Sequence, residues 1–253
     1  MTAAATALVT GAAKRLGRAM ALRLGDAGFN IAVHYNSSRE DAEVVVAELT
    51  AMGRKAVALP ADLSDEKQTA ALMAQAGKAL GPMTLLVNSA SVFEHDDIDD
   101  MTRASWNQHI ETNLWAPLKL AQDFTAQAPK NANNLIVNIT DQRVLKLTPQ
   151  FLSYTTSKAA LQELTITLAQ GLGPKGIRVN AIGPGPTLRN ARQSDEDWAR
   201  QNQSTILGYG ADADDICDAL LYLVSAKAVT GQLIAVDGGQ HLAWRTPDVL
   251  VKE

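Results

Sequence analysis

The chain has 253 residues, 46% of them hydrophobic, with a formal net charge of −4 and a pI near 5.6. This size suits one soluble α/β domain with a large core, and the acidic balance disfavours a nucleic-acid or anionic-membrane partner. No segment has the pattern of a secretion signal or 18 consecutive apolar residues, and one cysteine with four scattered histidines shows no metal-ligand spacing. We therefore expect a cytoplasmic protein that binds no metal.

Seven short apolar segments predict the strands of one sheet. They are ATALVT (5–10), NIAVHY (30–35), KAVALP (55–60), TLLVNS (84–89), LIVNIT (135–140), IRVNAI (177–182) and QLIAVD (232–237). Amphipathic patterns between them predict helices at about 17–28, 38–52, 65–80, 102–129, 151–172 and 212–226. This alternation predicts a single doubly wound α/β domain over residues 1–253, with a seven-stranded parallel sheet flanked by helices. The polar stretch at 186–208 predicts a mobile loop or short helix that covers a site.

A glycine turn follows the first predicted strand and leads into the first predicted helix. In TGAAKRLGR, residues 10–18, Gly11 permits a sharp turn and Gly17 lets the helix approach the strand. The free N–H groups at the start of such a helix can bind a pyrophosphate. We therefore predict a dinucleotide site at the carboxyl ends of the strands. The alternative is that both glycines only turn and pack the chain.

The end of the second predicted strand, HYNSSRED, indicates which dinucleotide binds. A cofactor with a free ribose 2′-hydroxyl normally meets a carboxylate here, but the first acid is Glu40. Lys14, Arg15, Asn36 and Ser37 could instead bind a 2′-phosphate through charge-assisted hydrogen bonds. The sequence therefore predicts NADPH rather than NADH. Lys14 and Arg15 could alternatively be solvated residues of the turn.

A tyrosine and a lysine lie four residues apart near the start of the helix predicted at 151–172. Tyr154 and Lys158 share one face of this helix, so the ammonium can approach the phenol. A phenol with its ordinary pKa of about 10 is a poor proton-transfer group at neutral pH, and a nearby cation lowers that pKa. The pair is therefore a candidate acid–base site, although the same spacing also occurs in surface pairs.

These motifs occur in a chain order that resembles the short-chain dehydrogenase/reductase family over nearly the whole length. The matching segments are TGAAKRLG (10–17), DL (62–63), NSAS (88–91), Asn113 within ETNLWAP, YTTSK (154–158), PG (184–185) and VDGG (236–239). The resemblance implies one Rossmann-type domain that binds NADP(H). It also implies a homotetramer that packs through the helices predicted at 102–129 and 151–172.

The resemblance implies roles for individual residues as well. Tyr154 would donate a proton, Lys158 would hold the nicotinamide ribose, and Asn113 would belong to a proton relay. The implied cofactor-binding residues are Gly11, Lys14, Arg15, Leu16, Tyr35, Asn36, Ser37, Asp62, Leu63, Asn88, Ser89, Ala90, Tyr154, Lys158, Pro184 and Gly185.

Three departures from the common pattern of the family are informative about chemistry. Arg15 interrupts the glycine pattern T-G-x-x-x-G-x-G, NSAS stands in place of N-N-A-G, and Asp141 stands where the family has a catalytic serine. An aspartate cannot stabilise a developing oxyanion unless it is protonated, so Asp141 disfavours ordinary ketone reduction. It could instead bind a cationic or N–H-rich heterocycle or help to protonate a ring nitrogen. It could also form an ion pair with Arg143 or Lys146.

Together these departures resemble the pteridine reductase subgroup, with its related bacterial dihydromonapterin and dihydrofolate reductases. The resemblance implies that Arg15 and Ser91 contact cofactor phosphate and pterin, that Phe93 stacks on the pterin ring, and that Asp141 and Tyr154 supply protons. A flat aromatic face and a guanidinium suit a planar heterocycle that bears a carbonyl group. Phe93 could otherwise fill the core, and Ser91 could cap a turn.

The predicted function is NADPH-dependent reduction of a pterin, from dihydropterin to tetrahydropterin, with dihydrofolate as a further substrate of the same type. Two alternatives stay open. One is reduction of another substrate, such as a 3-oxoacyl thioester, a keto sugar or a quinone, and the other is a non-catalytic NADPH-binding regulator. The presence of Tyr154, Lys158 and Asn113 together argues against the regulator, and the polar stretch at 186–208 argues against a large apolar substrate.

Overall fold

A computed structural model describes residues 5–189 and 192–246 of the chain. Its seven strands form one parallel sheet in the order β3-β2-β1-β4-β5-β6-β7. The strands are β1 Thr6–Val9, β2 Asn30–Tyr35, β3 Ala56–Pro60, β4 Leu85–Asn88, β5 Asn134–Ile139, β6 Ile177–Pro184 and β7 Leu233–Val236. Every predicted strand is present, so the predicted Rossmann-type sheet is confirmed.

Helices connect the strands and cover both faces of the sheet. They are α1 Arg15–Asp26, α2 Arg39–Ala51, α3 Glu66–Leu80, α4 Arg103–Ile110, α5 Ala116–Gln127, α6 Leu152–Leu172, α7 Asp195–Gln203 and α8 Ala213–Ser225. Each predicted helix has a counterpart among them. None of the helices that the structure describes is long and apolar enough to span a bilayer.

Two hydrophobic core clusters lie on opposite faces of the sheet. Because side chains alternate along a strand, Val9 and Val87 join a cluster with α1, α2 and α8, whereas Leu8 and Leu86 join a second cluster with α3, α5 and α6. All four residues are fully buried. This two-sided burial explains why the strands read as continuous apolar runs in the sequence.

The helix predicted at 102–129 is interrupted by a π-helical turn, which the sequence analysis missed. The turn spans Glu111–Trp115, between the end of α4 and the start of α5. Pro117 has no N–H to donate to the carbonyl of Asn113, so the α-helical hydrogen-bond ladder cannot run regularly through this segment. The side chain of Asn113 in this turn is fully buried against the loop that follows β4.

The polar stretch at 186–208 contains a short helix, α7. Ser194 caps its start, since the Ser194 Oγ accepts a hydrogen bond from the Asp197 N–H at 3.0 Å. Asp195, Glu196 and Asp197 in the first turn also suit the positive end of the helix dipole. Residues 190 and 191 of this stretch lie outside the described residues.

Candidate active site

A cleft of about 920 Å³ opens at the carboxyl ends of the strands, where the strand order reverses between β1 and β4. The predicted site residues that line it are Gly11, Lys14, Arg15, Leu16, Asn36, Asp62, Leu63, Ser89, Ala90, Ser91, Phe93, Asp141, Tyr154, Lys158, Pro184 and Gly185. The stretch at 186–208 also contributes to the lining through Thr187, Leu188 and Trp198. The fold thus brings residues that are distant in the chain into one site.

Four other predicted site residues, Tyr35, Ser37, Asn88 and Asn113, do not line the cleft. Tyr35 points into the core on the α1 and α2 side because strand residues alternate. Ser37 is exposed to solvent. Asn88 is 3% exposed, and its Nδ2 donates to the Asn138 Oδ1 at 2.8 Å inside the sheet.

The glycine turn after β1 approaches its neighbours too closely for side chains. Gly11 has φ +65°, and a Cβ on it would lie 3.0 Å from the Cα of Ala90. A Cβ on Gly17 would lie 2.1 Å from the carbonyl oxygen of Gly11. The turn therefore forms a cradle of bare backbone at the start of α1, which suits a pyrophosphate.

His34 holds this turn in place, a role that the sequence analysis missed. Its Nδ1 accepts a hydrogen bond from the Gly11 N–H at 3.0 Å, so its Nε2 donates to the carbonyl of Ala61 at 3.0 Å. Burial lowers the pKa of His34 to about 4, so the ring is neutral at physiological pH. A histidine at the end of a strand gave no sequence signal that distinguishes this role from ordinary packing.

The two cations of the turn contact protein groups at the edge of the cleft. The Nζ of Lys14 lies 2.9 Å from a carboxylate oxygen of Asp41, in a half-exposed ion pair that is weak enough to exchange for a phosphate. The guanidinium of Arg15 donates to the carbonyls of Leu188 at 2.9 Å and Arg189 at 3.0 Å. Arg15 also has φ +53°, a conformation that favours glycine.

Asp141 and Tyr154 form the central pair of the cleft. The Tyr154 hydroxyl donates to the Asp141 Oδ2 at 2.8 Å, and the Arg143 backbone N–H donates to the Asp141 Oδ1 at 2.7 Å. Burial raises the pKa of Asp141, although both hydrogen bonds act in the opposite direction. The alternative role for Asp141, a side-chain ion pair with Arg143 or Lys146, is absent from the ion pairs of the described residues.

The expected lowering of the Tyr154 pKa by Lys158 is wrong for this structure. The Nζ of Lys158 donates to the carbonyl of Ile139 at 2.8 Å and lies 5.8 Å from the centre of the Tyr154 ring. Burial and the negative charge of Asp141 raise the pKa of Tyr154 well above its ordinary value. The phenol therefore keeps its proton at neutral pH, which suits a proton donor. Burial also lowers the pKa of Lys158 to about 8.

Asn113 makes its hydrogen bonds within the protein, behind the cleft. Its Oδ1 accepts from the Val92 N–H at 2.8 Å and from the Ser91 hydroxyl at 3.2 Å. Its Nδ2 donates to the Val92 carbonyl at 2.9 Å and to the Ser157 hydroxyl at 3.1 Å. Asn113 thereby ties the loop that follows β4 to α6, and its role in a proton relay stays a prediction.

An aromatic cluster lies beside the Asp141–Tyr154 pair, and the sequence analysis found only part of it. The Phe93 ring stacks on Phe151 with centroids 4.5 Å apart and an interplanar angle of 8°, and it meets the Tyr154 ring edge-on at 4.6 Å. The guanidinium of Arg143 lies 5.0 Å from the Phe151 ring centre, and that of Arg192 lies 5.7 Å from the Phe93 ring centre. Phe151, Arg143 and Arg192 belong to no sequence motif of their own, so no sequence signal placed them beside Phe93.

The described residues also bear on metal binding. In the ranges 5–189 and 192–246, no three His, Cys, Asp or Glu side chains lie close enough together to hold a metal ion.

Comparisons with known proteins agree with this architecture. A family model described as enoyl-(acyl carrier protein) reductase matches residues 11–241. The structure of FolM alternative dihydrofolate reductase 1 from Brucella canis, complexed with NADP, has a TM-score of 0.93 and 42% identity, covering 99% of this chain and 100% of that one. A short-chain dehydrogenase from Burkholderia cenocepacia, also in complex with NADP, has a TM-score of 0.88 and 30% identity over 93% of this chain and 97% of that one.

A further relative is the 3-oxoacyl-[acyl-carrier-protein] reductase FabG of Staphylococcus aureus. It is 32% identical over 242 residues, which cover 94% of this chain and 98% of that protein. The family model, these relatives and the seven-stranded parallel sheet agree. The chain therefore belongs to the short-chain dehydrogenase/reductase family of oxidoreductases.

Proposed function

We propose that this protein is an NADPH-dependent reductase that converts a dihydropterin into a tetrahydropterin. The observation that carries the proposal is the hydrogen bond that the Tyr154 phenol donates to the Asp141 carboxyl, in a cleft that the Phe93 ring also lines. A carboxylate accepts hydrogen bonds from the N–H groups of a heterocycle, and a protonated carboxyl can donate one. The FolM structures from Brucella canis and Brucella suis, 42% and 43% identical to this chain, support this substrate class because their names describe dihydrofolate reductases.

The residues of the cleft suit NADPH. The backbone cradle at Gly11 would hold the pyrophosphate, Asp62 and Leu63 would contact the adenine, and Lys14 with Asn36 would bind the 2′-phosphate. The NADP-bound structures of the relatives support the same cofactor. When bound, NADPH supplies the hydride.

Replacing Arg15 by Gly is expected to raise the KM for NADPH or the pterin while leaving the free energy of unfolding within about 1 kcal/mol of the wild type. Glycine adopts a positive φ without strain, and this gain offsets the larger conformational entropy of glycine in the unfolded chain. Arg15→Ala is the matched control: it keeps a Cβ at the same φ, so it should bind equally weakly but unfold more easily. Steady-state kinetics and urea unfolding measure both effects. Unchanged KM values for both ligands would show that Arg15 contacts neither.

Tyr154 and Asp141 would supply the proton. The raised pKa of Tyr154 keeps the proton on its Oη, ready for transfer to a ring nitrogen. Asp141 orients that hydroxyl through its Oδ2, and its own raised pKa would favour uptake of a replacement proton. Lys158 would place its ammonium on the cofactor ribose after exchange from the Ile139 carbonyl.

Phe93 would hold the planar ring of the substrate. Phe151 already stacks on one face of the Phe93 ring, with centroids 4.5 Å apart, so a planar substrate ring would stack on the opposite face or take the place of Phe151. The guanidinium groups of Arg143 and Arg192 border the aromatic pair, so carbonyl or carboxylate groups of a substrate would find donors there.

Reduction of a 3-oxoacyl thioester is the second candidate function. The Staphylococcus aureus relative is named for that activity, and its 32% identity extends over most of both chains. In that case Asp141 would take no part in the reaction, and Tyr154 would transfer the proton. A keto-sugar reductase and a non-catalytic regulator have no comparable observation in their favour.

A substrate panel tests the proposal directly. Purified protein is mixed with NADPH and dihydrobiopterin, dihydromonapterin, a 3-oxoacyl thioester or a simple ketone, and the loss of NADPH absorbance is followed. Tyr154→Phe serves as the control for turnover at this site. Consumption with the pterins alone supports the proposal, and consumption with only the thioester or ketone contradicts it. Cofactor binding without consumption across a broader panel would favour the regulator.

Replacing Asp141 by Ser is expected to lower kcat/KM for the dihydropterin by about 100-fold and to raise activity on the ketone or thioester. The serine hydroxyl can donate to a developing oxyanion, but it offers no carboxylate to the N–H groups of a pterin. Asp141→Asn is the matched control, because it keeps the shape of the side chain without an ionisable group. Equal losses on every substrate would contradict a specificity role for Asp141.

A further inference from the structure

A buried polar cluster lies behind the cleft and outside its lining. Asp96 is 2% exposed, and Ser153 and His109 are fully buried. The three residues come from the loop that follows β4, from the start of α6 and from α4. Buried polar groups are costly unless they are fully hydrogen-bonded, so such a cluster specifies the relative position of the three elements.

Asp96 supplies the N-terminal cap that α6 lacks in its own sequence. The residue at the cap position is Phe151, which has φ +57° and no side-chain oxygen to accept the first N–H groups of the helix. Instead, the Asp96 Oδ1 accepts from the Ser153 N–H at 3.0 Å, and the Asp96 carbonyl accepts from the Leu152 N–H at 3.0 Å. A carboxylate at this end also suits the helix dipole.

The carboxylate of Asp96 is itself held by hydroxyl groups. Its Oδ2 accepts from the Ser105 hydroxyl at 2.6 Å and from the Ser153 hydroxyl. Burial acts to raise the pKa of Asp96, but the hydrogen bonds from Ser105 and Ser153 bring it below its ordinary value. The cap is therefore charged at neutral pH.

His109 connects the same serine to the residue that follows Phe93. Its Nε2 accepts from the Glu94 N–H at 3.2 Å, so its Nδ1 carries the proton and points to the Ser105 carbonyl at 3.0 Å and the Ser153 hydroxyl at 2.7 Å. One hydroxyl thus links the backbone beside Phe93 to the turn of α6 that carries the catalytic tyrosine.

We propose that Asp96, Ser153 and His109 are positioning residues that hold the Tyr154 phenol and the Phe93 ring in register with each other. The centroids of the two rings lie 4.6 Å apart. Tyr154 directly follows Ser153 in the chain, and Phe93 directly precedes Glu94, whose N–H donates to His109. A displacement of about 1 Å at a reacting group can lower a rate by about 100-fold. The inference rests on the proposed role of Tyr154 as proton donor.

Asp96→Ala tests the proposal, with Asp212→Ala as the matched control. Asp212 caps α8, where its Oδ1 accepts from the Asp215 N–H at 2.9 Å, and α8 carries no predicted site residue. Both variants should lose thermal stability. Asp96→Ala should lower kcat by about 10- to 100-fold with the KM for NADPH within about twofold of wild type, whereas Asp212→Ala should keep the wild-type kcat. The substrate is dihydrobiopterin, or the 3-oxoacyl thioester if that is the one turned over.

Two further variants keep the test decisive if Asp96→Ala does not fold. His109→Leu removes the acceptor for the Glu94 N–H, and His109→Gln offers a replacement acceptor. We expect a lowered kcat or a raised substrate KM in His109→Leu and partial rescue in His109→Gln. Wild-type kcat and KM in folded Asp96→Ala or, where that variant does not fold, in folded His109→Leu would overturn the proposal. Full turnover by Tyr154→Phe would instead overturn the proton-donor role on which it rests.

Discussion

Replacing Tyr154 by Phe is expected to lower turnover by about two to four orders of magnitude while leaving NADPH binding nearly unchanged. The substitution removes the hydroxyl that donates to Asp141 but keeps the ring that meets Phe93 edge-on. Steady-state kcat with the active substrate and NADPH affinity from fluorescence titration measure the two effects separately.

The matched control for this variant is Tyr222→Phe. Tyr222 lies on α8 with 53% of its surface exposed, so loss of its hydroxyl should change neither kcat nor NADPH affinity. A Tyr154→Phe enzyme with more than about a tenth of wild-type turnover would assign proton donation to another group.

Replacing Lys158 by Met is expected to remove at least about 99% of turnover and to weaken NADPH binding, yet to stabilise the protein in the absence of cofactor. Lys158 is 3% exposed, and burial lowers its pKa from 10.5 to about 8. That difference corresponds to a cost of about 3 kcal/mol for keeping the ammonium buried at neutral pH. Methionine has a similar shape without the charge, although it leaves the Ile139 carbonyl without this donor.

The gain in stability should depend on pH. At pH 7 Lys158 is protonated in both the folded and the unfolded chain, so the wild type carries the full cost. Above pH 8 the ammonium in the folded protein loses its proton, while the unfolded chain keeps it until the pH nears 10.5. The cost of burying Lys158 therefore falls steadily as the pH rises from 8 to 10.5. Urea unfolding of both proteins at pH 7 and above pH 10 measures the change, with Lys175→Met as an exposed control. A gain that is absent at pH 7 or undiminished at high pH would contradict the buried charge.

The sheet and the position of the cleft were predictable because local patterns encode them. Both faces of the sheet are covered by helices, so each strand is an apolar run that stands out from the amphipathic helices around it. The glycine turn and the residues that follow the strands must then meet at the carboxyl edge of the sheet. Tyr35, which the family resemblance implied as a cofactor residue, faces the core instead, because successive residues of a strand point to opposite faces of the sheet.

The electrostatics of the site depend on contacts that no local pattern encodes. Lys158 and Tyr154 lie on adjacent turns of α6 as predicted, but the carbonyl of Ile139 competes for the ammonium and Asp141 competes for the phenol. Phe151 was missed because its partner Phe93 is distant in the chain. The proton-relay role of Asn113, the homotetramer and the cytoplasmic location stay predictions.

The π turn at Glu111–Trp115 constrains the number of residues between α4 and α5. Deleting one residue from it would remove the extra residue of the wide turn, but it would also rotate α5 by about 100° relative to α4. Leu120 and Phe124, both fully buried, would then turn away from the sheet, and the Asn113 amide would lose Val92. Apart from Asn113, whose amide holds the loop that follows β4, this segment therefore accepts changes of residue type more readily than insertions or deletions.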